Sequence, residues 1–333
     1  MNGTVLVTGA NGSLALGFTK SFLSLYPNHT LIATVRNPSP EKDPNTAKLV
    51  QLISKYPKAN VLIEGLDLSN LANVRSFAEK LSTRIRAGEL PRLTAVICNA
   101  ASISLGGGQK FTSDGFESTF QISHLSHYLL VLKLLDSMDV RSGRIVMLGS
   151  ITHYTDKPNP FYSLKTYAPV DIEELVKPDP DPPSLVYDRG FQRYGMAKLA
   201  NVTFANDLNR RLKKDPKLSN VFAMSMDPGG LPSSRGQVEQ KRVLRLIFGV
   251  INFMMPVLKH LTTEFRTTDD SGRDLVAVSV DPVFHGKSGY FVGQIQGSFT
   301  PASDDLEWQK RLWNACWKWA GLSEGETILQ DCS

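Results

Sequence analysis

The sequence predicts an α/β protein built as one doubly wound parallel sheet, and three observations lead there. Short apolar strands alternate with amphipathic helices through the first 150 residues, the first strand runs into the small-residue turn TGANGSLA, and the texture turns proline-rich only after Ser150. In such a sheet helices cover both faces, and a ligand cleft opens at the carboxyl ends of the strands.

Each element follows from its pattern. TVLVT is the first strand, leading to a helix from about Leu14 to Leu25; TLIATV is the second, with a helix around Thr46 to Tyr56; NVLIEGLDL is the third. A helix from Leu71 to Arg86, the strand LTAVICNA, a long helix from Phe116 to Leu135 and the strand GRIVMLGS continue the series. Between Ile151 and Arg193 lie seven of the 19 prolines, including the run KPDPDPP. Proline cannot continue a helix or donate within a central strand, so 151–193 is expected to be an insertion loop between core elements. A helix from about Gly195 to Leu212, the strand NVFAMSMDP, an apolar segment, the strand GYFVG and a tryptophan-rich helix complete the chain. No internal repeat interrupts it, and 1–333 is expected to be a single domain, with 235–265 as an apolar lid and 299–333 as the C-terminal helix and tail.

Composition narrows the function classes. With 41% hydrophobic and 21% charged residues, the chain suits a soluble protein able to bury a deep pocket. The net charge is +5, but the basic residues are scattered apart from short clusters such as Arg210, Arg211, Lys213 and Lys214, so no nucleic-acid footprint is expected. Cys98, Cys316 and Cys332 show no metal spacing, and a sparse, odd set suits a reducing, cytoplasmic setting without structural disulfides or a bound metal. No secretory signal is expected, because Val5 to Thr8 already belongs to the fold. The segment VLRLIFGVINFMMPVL at 243–258 contains Arg245 and Pro256 and is too short and interrupted for a membrane span. A membrane-dipping helix and a core helix both remain open for it. Peripheral membrane contact is therefore allowed but not required.

Three local patterns carry chemistry. In TGANGSLA, Gly9 stands at the bend, Gly12 where backbone must approach a pyrophosphate, and Ala15 where helix packs on strand. Those are the jobs of a dinucleotide fingerprint, with Asn11, Ser13 and Leu14 filling the turn, although a ligand-free turn could carry the same pattern. Arg36 ends the second strand, where an arginine accommodates a 2'-phosphate; this favours NADP over NAD, and a plain surface arginine is the alternative. YGMAK places the Tyr194 phenol and Lys198 ammonium four residues apart on one helical face, where the cation favours the phenolate. His124 and His127 lie about a turn apart, and without a third ligand packing and helix-surface roles outweigh a metal site.

The ordered set TGANGSLA, Arg36, Asp67-Leu68, NAA at 99–101, GSIT at 149–152, YGMAK and DPGG at 227–230 resembles the short-chain dehydrogenase/reductase superfamily. The likeness is strongest to its retinol-dehydrogenase-like and protochlorophyllide-reductase-like branch, and DDLEWQKRLWNACWKWAGL extends it over nearly the whole chain. The resemblance implies a Rossmann-type fold and NADPH as cofactor. It implies Tyr194 as general acid/base, Ser150 as hydrogen-bond partner of the reacting oxygen, and Lys198 as partner of both the nicotinamide ribose and Tyr194. Asp67 and Leu68 would border the adenine, Asn99, Ala100 and Ala101 the ribose, and Pro228, Gly229, Leu231 and Ser233 the nicotinamide and pyrophosphate. The segment 243–258 would be the substrate lid.

Departures from the family pattern are the spacing of the glycine turn, the long insertion, and Ser123 where an asparagine often joins the proton relay. The expected activity interconverts a ketone and a secondary alcohol, or an aldehyde and an alcohol. The expected substrate is a bulky apolar molecule such as a polyketide, terpenoid, steroid or retinoid. A nucleotide-binding module with a regulatory or cyclisation-guiding role is the alternative, and the sequence leaves the oligomeric state undetermined.

Overall fold

All four residues of β1 (Thr4–Val7) are buried, as a central strand covered on both faces requires. In the computed structural model, which describes residues 3–157, 163–258 and 264–329, β1 leads through the glycine turn into α1 (Ser13–Leu25). Next come β2 (Thr30–Val35), α2 (Pro44–Ile53), β3 (Asn60–Gly65), α3 (Leu71–Arg86) and β4 (Leu93–Cys98). A short α4 (Ser118–Phe120) passes through a π-helical turn, Gln121–Leu125, into α5 (Ser126–Leu134), and β5 (Arg144–Leu148) closes the first half. The second half contains α6 (Val186–Lys214), β6 (Phe222–Asp227), α7 (Arg242–Leu258), α8 (Thr268–Val280), β7 (Gly289–Val292), β8 (Ile295–Gln296) and α9 (Leu306–Trp319).

The described strands form one sheet in the order β3-β2-β1-β4-β5-β6-β7-β8. Every pairing is parallel except that of β8 with β7. Alternation along β1 sends Val5 and Val7 into the core with Phe18, Phe22 and Leu275, and Leu6 into the opposite core with Leu129, Phe204 and Trp313. Strand order reverses between β1 and β4, so the cleft of a doubly wound sheet opens at their carboxyl ends.

The structure bears out the α/β doubly wound class and revises several elements. The helix expected from about Gly195 starts at Val186, directly after the last proline of the insertion at Pro183, so the irregular stretch ends at Leu185. The helix expected to run unbroken from Phe116 is interrupted by the π turn at Gln121–Leu125. Helix α8 was not foreseen, although Thr267 caps it and Asp269 and Asp270 fill its first turn. Residues 158–162 of the insertion, 259–263 of the lid, and 330–333 with Cys332 lie outside the described residues.

Helices α1 and α8 meet backbone to backbone. A Cβ on Gly17 would stand 2.1 Å from the Thr268 carbonyl oxygen, and one on Gly272 would stand 2.3 Å from the Gly17 carbonyl carbon. Neither neighbour is a side chain that could swing aside. Gly272→Ala should therefore push α8 off α1 and cost about 1 to 3 kcal/mol, as overpacking of a full core does. The expected readout is a lower urea midpoint at unchanged m-value; an unchanged midpoint would show that the two helices have room to separate.

Candidate active site

The sequence-picked residues gather at the carboxyl edge of the sheet. Gly9 lies just beyond β1, Arg36 follows β2, Asp67 lies two residues past β3, Asn99 follows β4, Ser150 lies two past β5 and Pro228 follows β6. Gly9 has φ +62° and would place a Cβ 3.0 Å from that of Ala100, so the turn needs glycine for both conformation and space. The Asn99 side chain donates to the Thr8 carbonyl at 2.8 Å, and the Ala100 N–H donates to the Thr8 hydroxyl at 3.0 Å, which locks β1 to β4 at the reversal point.

The turn fits a dinucleotide phosphate. Gly12 is the N-cap of α1 and supplies no side-chain cap, leaving the first helical N–H groups for an anion. A Cβ on Gly12 would stand 3.0 Å from the Gly9 carbonyl oxygen, which closes the turn on one side, and 3.9 Å from both Arg235 Nη2 and Asn99 Nδ2, so two nitrogen donors edge the space on the other. The Arg235 N–H donates to the Ser13 hydroxyl at 3.2 Å, which draws the segment after β6 over the turn. Leu14 and Ala15 are buried against the sheet. The Asn11 side chain instead braces the β2–α2 connection, donating to Asp43 at 2.8 Å and Thr46 at 3.1 Å. Arg36 is exposed beside that connection.

The remaining residues expected to border a cofactor are held locally. The Asp67 carboxylate accepts from the Ser69 N–H and hydroxyl at 2.9 and 2.6 Å, and the buried Leu68 offers its carbonyl to Ser126 at 2.6 Å. Ala101 and Ser233 are exposed, while Leu231 is buried. Gly229, at φ +77°, turns the chain after Pro228, whose carbonyl accepts from the Ser271 hydroxyl at 2.6 Å.

Two contacts seat helix α6 against the end of β5. Lys198 Nζ donates to the Leu148 carbonyl at 2.8 Å, and the Asn201 amide donates to the same oxygen at 3.0 Å. Nearer the helix start, a Cβ on Gly195 would stand 2.9 Å from the Thr152 carbonyl, so α6 lies directly on the 3₁₀ turn that follows Ser150. Tyr194 and Ser150 are thereby held in one neighbourhood, and Lys198 Nζ lies 5.4 Å from the centre of the Tyr194 ring. The Ser150 hydroxyl accepts from the Thr152 N–H at 3.3 Å, capping the turn as a strand-end serine does. Its carbonyl accepts from His153 Nδ1 at 2.7 Å.

Burial sets the charges. Desolvation pulls the Lys198 pKa down to about 8, against the attraction of Asp227. Asp227 is itself raised by burial, although the Gly229 N–H and Tyr290 hydroxyl donate to it at 2.8 and 2.9 Å. His124 and His127, brought by burial to about 4 and about 3, are neutral. Both pack wholly inside the protein, and neither takes the helix-surface position that the sequence left open.

Their tautomers follow from their partners. His127 Nδ1 donates to the Ser123 carbonyl at 3.2 Å, so its Nε2 accepts from the Thr8 hydroxyl at 2.9 Å. His124 Nδ1 donates to the Asn201 oxygen at 2.9 Å, leaving Nε2 to accept from the Cys316 thiol at 3.5 Å. The Ser123 hydroxyl is fully buried and accepts from the Ser102 N–H at 3.1 Å.

Sequence reasoning missed Asn201, His153, Asp227 and Arg235. Asn201 was within reach, since it continues the Tyr194–Lys198 face three residues on. His153 and Arg235 act across the fold, and no local spacing marks them.

Comparison with known proteins agrees with this geometry. Residues 3–164 match the family model described as short chain dehydrogenase, and residues 237–329 match one described as AcuH dehydrogenase domain. Short-chain dehydrogenase iccH of Talaromyces variabilis is 32% identical, with 98% of each chain covered. Protochlorophyllide reductase A of Arabidopsis thaliana is 26% identical, over 96% of this chain and 77% of that one. The solved structure of angucycline C-6 ketoreductase LanV with bound NADP superposes at TM-score 0.60 and 15% identity, covering 87% of this chain and 93% of that one.

Proposed function

We propose that this chain, which belongs to the short-chain dehydrogenase/reductase family, is an NADPH-dependent reductase that interconverts a carbonyl and an alcohol on a bulky apolar substrate. The observation that carries the reading is the junction of Lys198, Asn201 and the Leu148 carbonyl, which seats the helix bearing Tyr194 against the end of β5, two residues before Ser150. The bare turn at Gly12 under Arg235 and Asn99 supports a phosphate-bearing cofactor, and the NADP in the LanV structure supports the same choice. Cytoplasmic placement remains part of the proposal; among the described residues no helix is long and apolar enough to cross a membrane.

A nicotinamide cofactor supplies or accepts the hydride when bound. The chain's own residues manage the oxygen and the proton. Ser150 donates a hydrogen bond to the substrate oxygen and orients it, while Tyr194 delivers the proton that turns that oxygen into a hydroxyl. The Lys198 ammonium stabilises the phenolate left behind. Ser123 and His127 brace the π turn beside the cleft through Ser102 and Thr8, so Ser123 serves the proton path by position. Gly9, Asn11, Gly12, Ser13 and Leu14 shape the phosphate turn, and Arg36 takes the 2'-phosphate. The inward stripe of α7, with Phe248 and Met255 buried, forms one wall of the substrate cleft. Of the two phenylalanines of this segment, Phe253 points outward at 86% exposure and takes no part in that wall.

Tyr194→Phe should lower turnover on apolar ketones by about 10² to 10⁴-fold, the usual weight of positioned acid catalysis. NADPH binding, followed by fluorescence, should stay within about twofold; substantial residual turnover would remove Tyr194 from the role. Arg36→Ala should weaken NADPH by about ten- to a hundredfold, the loss of one charge-assisted contact, and leave NADH unchanged. Equal losses for both cofactors by calorimetry would place the 2'-phosphate elsewhere.

The pH dependence follows from Lys198. Below about 8 its amine is charged and strengthens Tyr194 as an acid; above that pH the charge is lost and the tyrosine weakens. The rate of carbonyl reduction at low substrate should therefore fall on the alkaline side of a limb near pH 8. A flat profile to high pH would show that the charge is not needed.

A further inference from the structure

Helix α7 carries three faces. At 100° per residue, Leu244, Phe248, Ile251 and Met255 fall on one side, and these are the half-buried and buried positions. Val243, Leu246, Val250, Phe253 and Val257 fall on a second side at alternating three- and four-residue steps, and all are exposed, Leu246 by 73% and Phe253 by 86%. Ile247 and Met254 widen that outer stripe and are exposed as well. Arg242, Arg245 and Asn252 lie on the third side, between the two apolar ones.

We propose that the outer face of α7 docks on an anionic membrane surface, with the helix lying in the headgroup plane. A contiguous apolar stripe of this size, rimmed by polar groups, marks an interaction surface. Its charge selects the partner. From Gln240 to Leu258 the chain has no acidic residue, while Lys241, Arg242 and Arg245 sit at its start. A second copy laid along α7 offers no counter-charge: in parallel the basic starts meet each other, and antiparallel they meet only the uncharged end, Leu246 to Leu258. An anionic headgroup layer complements both features, with apolar side chains reaching the acyl boundary and arginines remaining at the phosphates. The helix has 17 residues and is about 25 Å long, which suits lying on a bilayer. Docking depends on this surface and does not rest on the redox reading.

The test floats the full-length chain with vesicles of phosphatidylcholine alone or with about one third phosphatidylserine. Binding to the anionic vesicles should be at least about thirtyfold stronger, the weight of two arginines at such a surface, and should fall at about 0.5 M salt. Arg242→Gln with Arg245→Gln should cut the difference between vesicle types by about thirtyfold, leaving only what Lys241 contributes. Phe253→Ser and Leu246→Ser should each weaken flotation by roughly tenfold. Because both side chains are exposed, the circular dichroism and melting temperature of these variants should match the parent chain. A tryptophan placed by Phe253→Trp should gain blue-shifted emission and be quenched by brominated lipid. Three results would overturn the proposal: no preference for anionic vesicles, binding that ignores these substitutions, or a dimer in solution that Phe253→Ser dissociates.

Discussion

A single backbone carbonyl, that of Leu148 at the end of β5, fixes helix α6 against the sheet edge where the candidate site lies. It accepts from Lys198 at 2.8 Å and from Asn201 at 3.0 Å, both buried, and so pins helix α6 to the strand that leads to Ser150. An ammonium held inside a protein is costly unless its hydrogen bonds and charge are answered. Here the carbonyl answers one donor and Asp227 provides the opposing charge, itself held by Gly229 and Tyr290. The arrangement continues outward through Asn201, His124 and Cys316, so α9, far along the sequence, shares in holding helix α6.

The other side of the cleft is held by a second buried chain. Thr8 meets His127, His127 meets the Ser123 carbonyl, and the Ser123 hydroxyl meets Ser102. These residues surround the π turn at Gln121–Leu125, where the helix takes an extra residue per turn. A π turn displaces the hydrogen-bond ladder and frees local groups for such side-chain bonds. The glycine turn after β1 and the helix beside the cleft are thus coupled through one neutral imidazole.

Much of this was legible in the sequence where local rules govern. Strand and helix alternation located β1 to β6, and the order of motifs put Gly9, Arg36, Asp67, Asn99, Ser150 and Pro228 at the same sheet edge that the strands define. What escaped depends on contacts between distant segments. Helix α8 has a weak apolar pattern because Gly272 faces a backbone, where a large side chain would not fit. The π turn has no signature in QISHL that separates it from an ordinary helix. The start of α6 at Val186 was hidden by the prolines before it and by Gly190, whose absent side chain lets Ser104 and Leu105 approach. Arg235 reaches Gly12 only because the segment after β6 crosses back over β1, a tertiary fact without local imprint.

The contact of Gly17 with Gly272 bears on how the chain is made. The glycine turn is encoded in the first residues, yet one wall of the core beneath it, including Leu275, Val276 and Val278, is encoded late in the chain. On a ribosome the first half therefore emerges with its apolar face uncovered and waits for most of the chain to be synthesised. A fragment ending at residue 164, where the first family match stops, would hold the glycine turn and Ser150 but lack the helix that closes α1 and the helix that carries Tyr194. The first half of this fold consequently depends on the second: the core beneath its glycine turn is closed only once α8, Thr268–Val280, has been made.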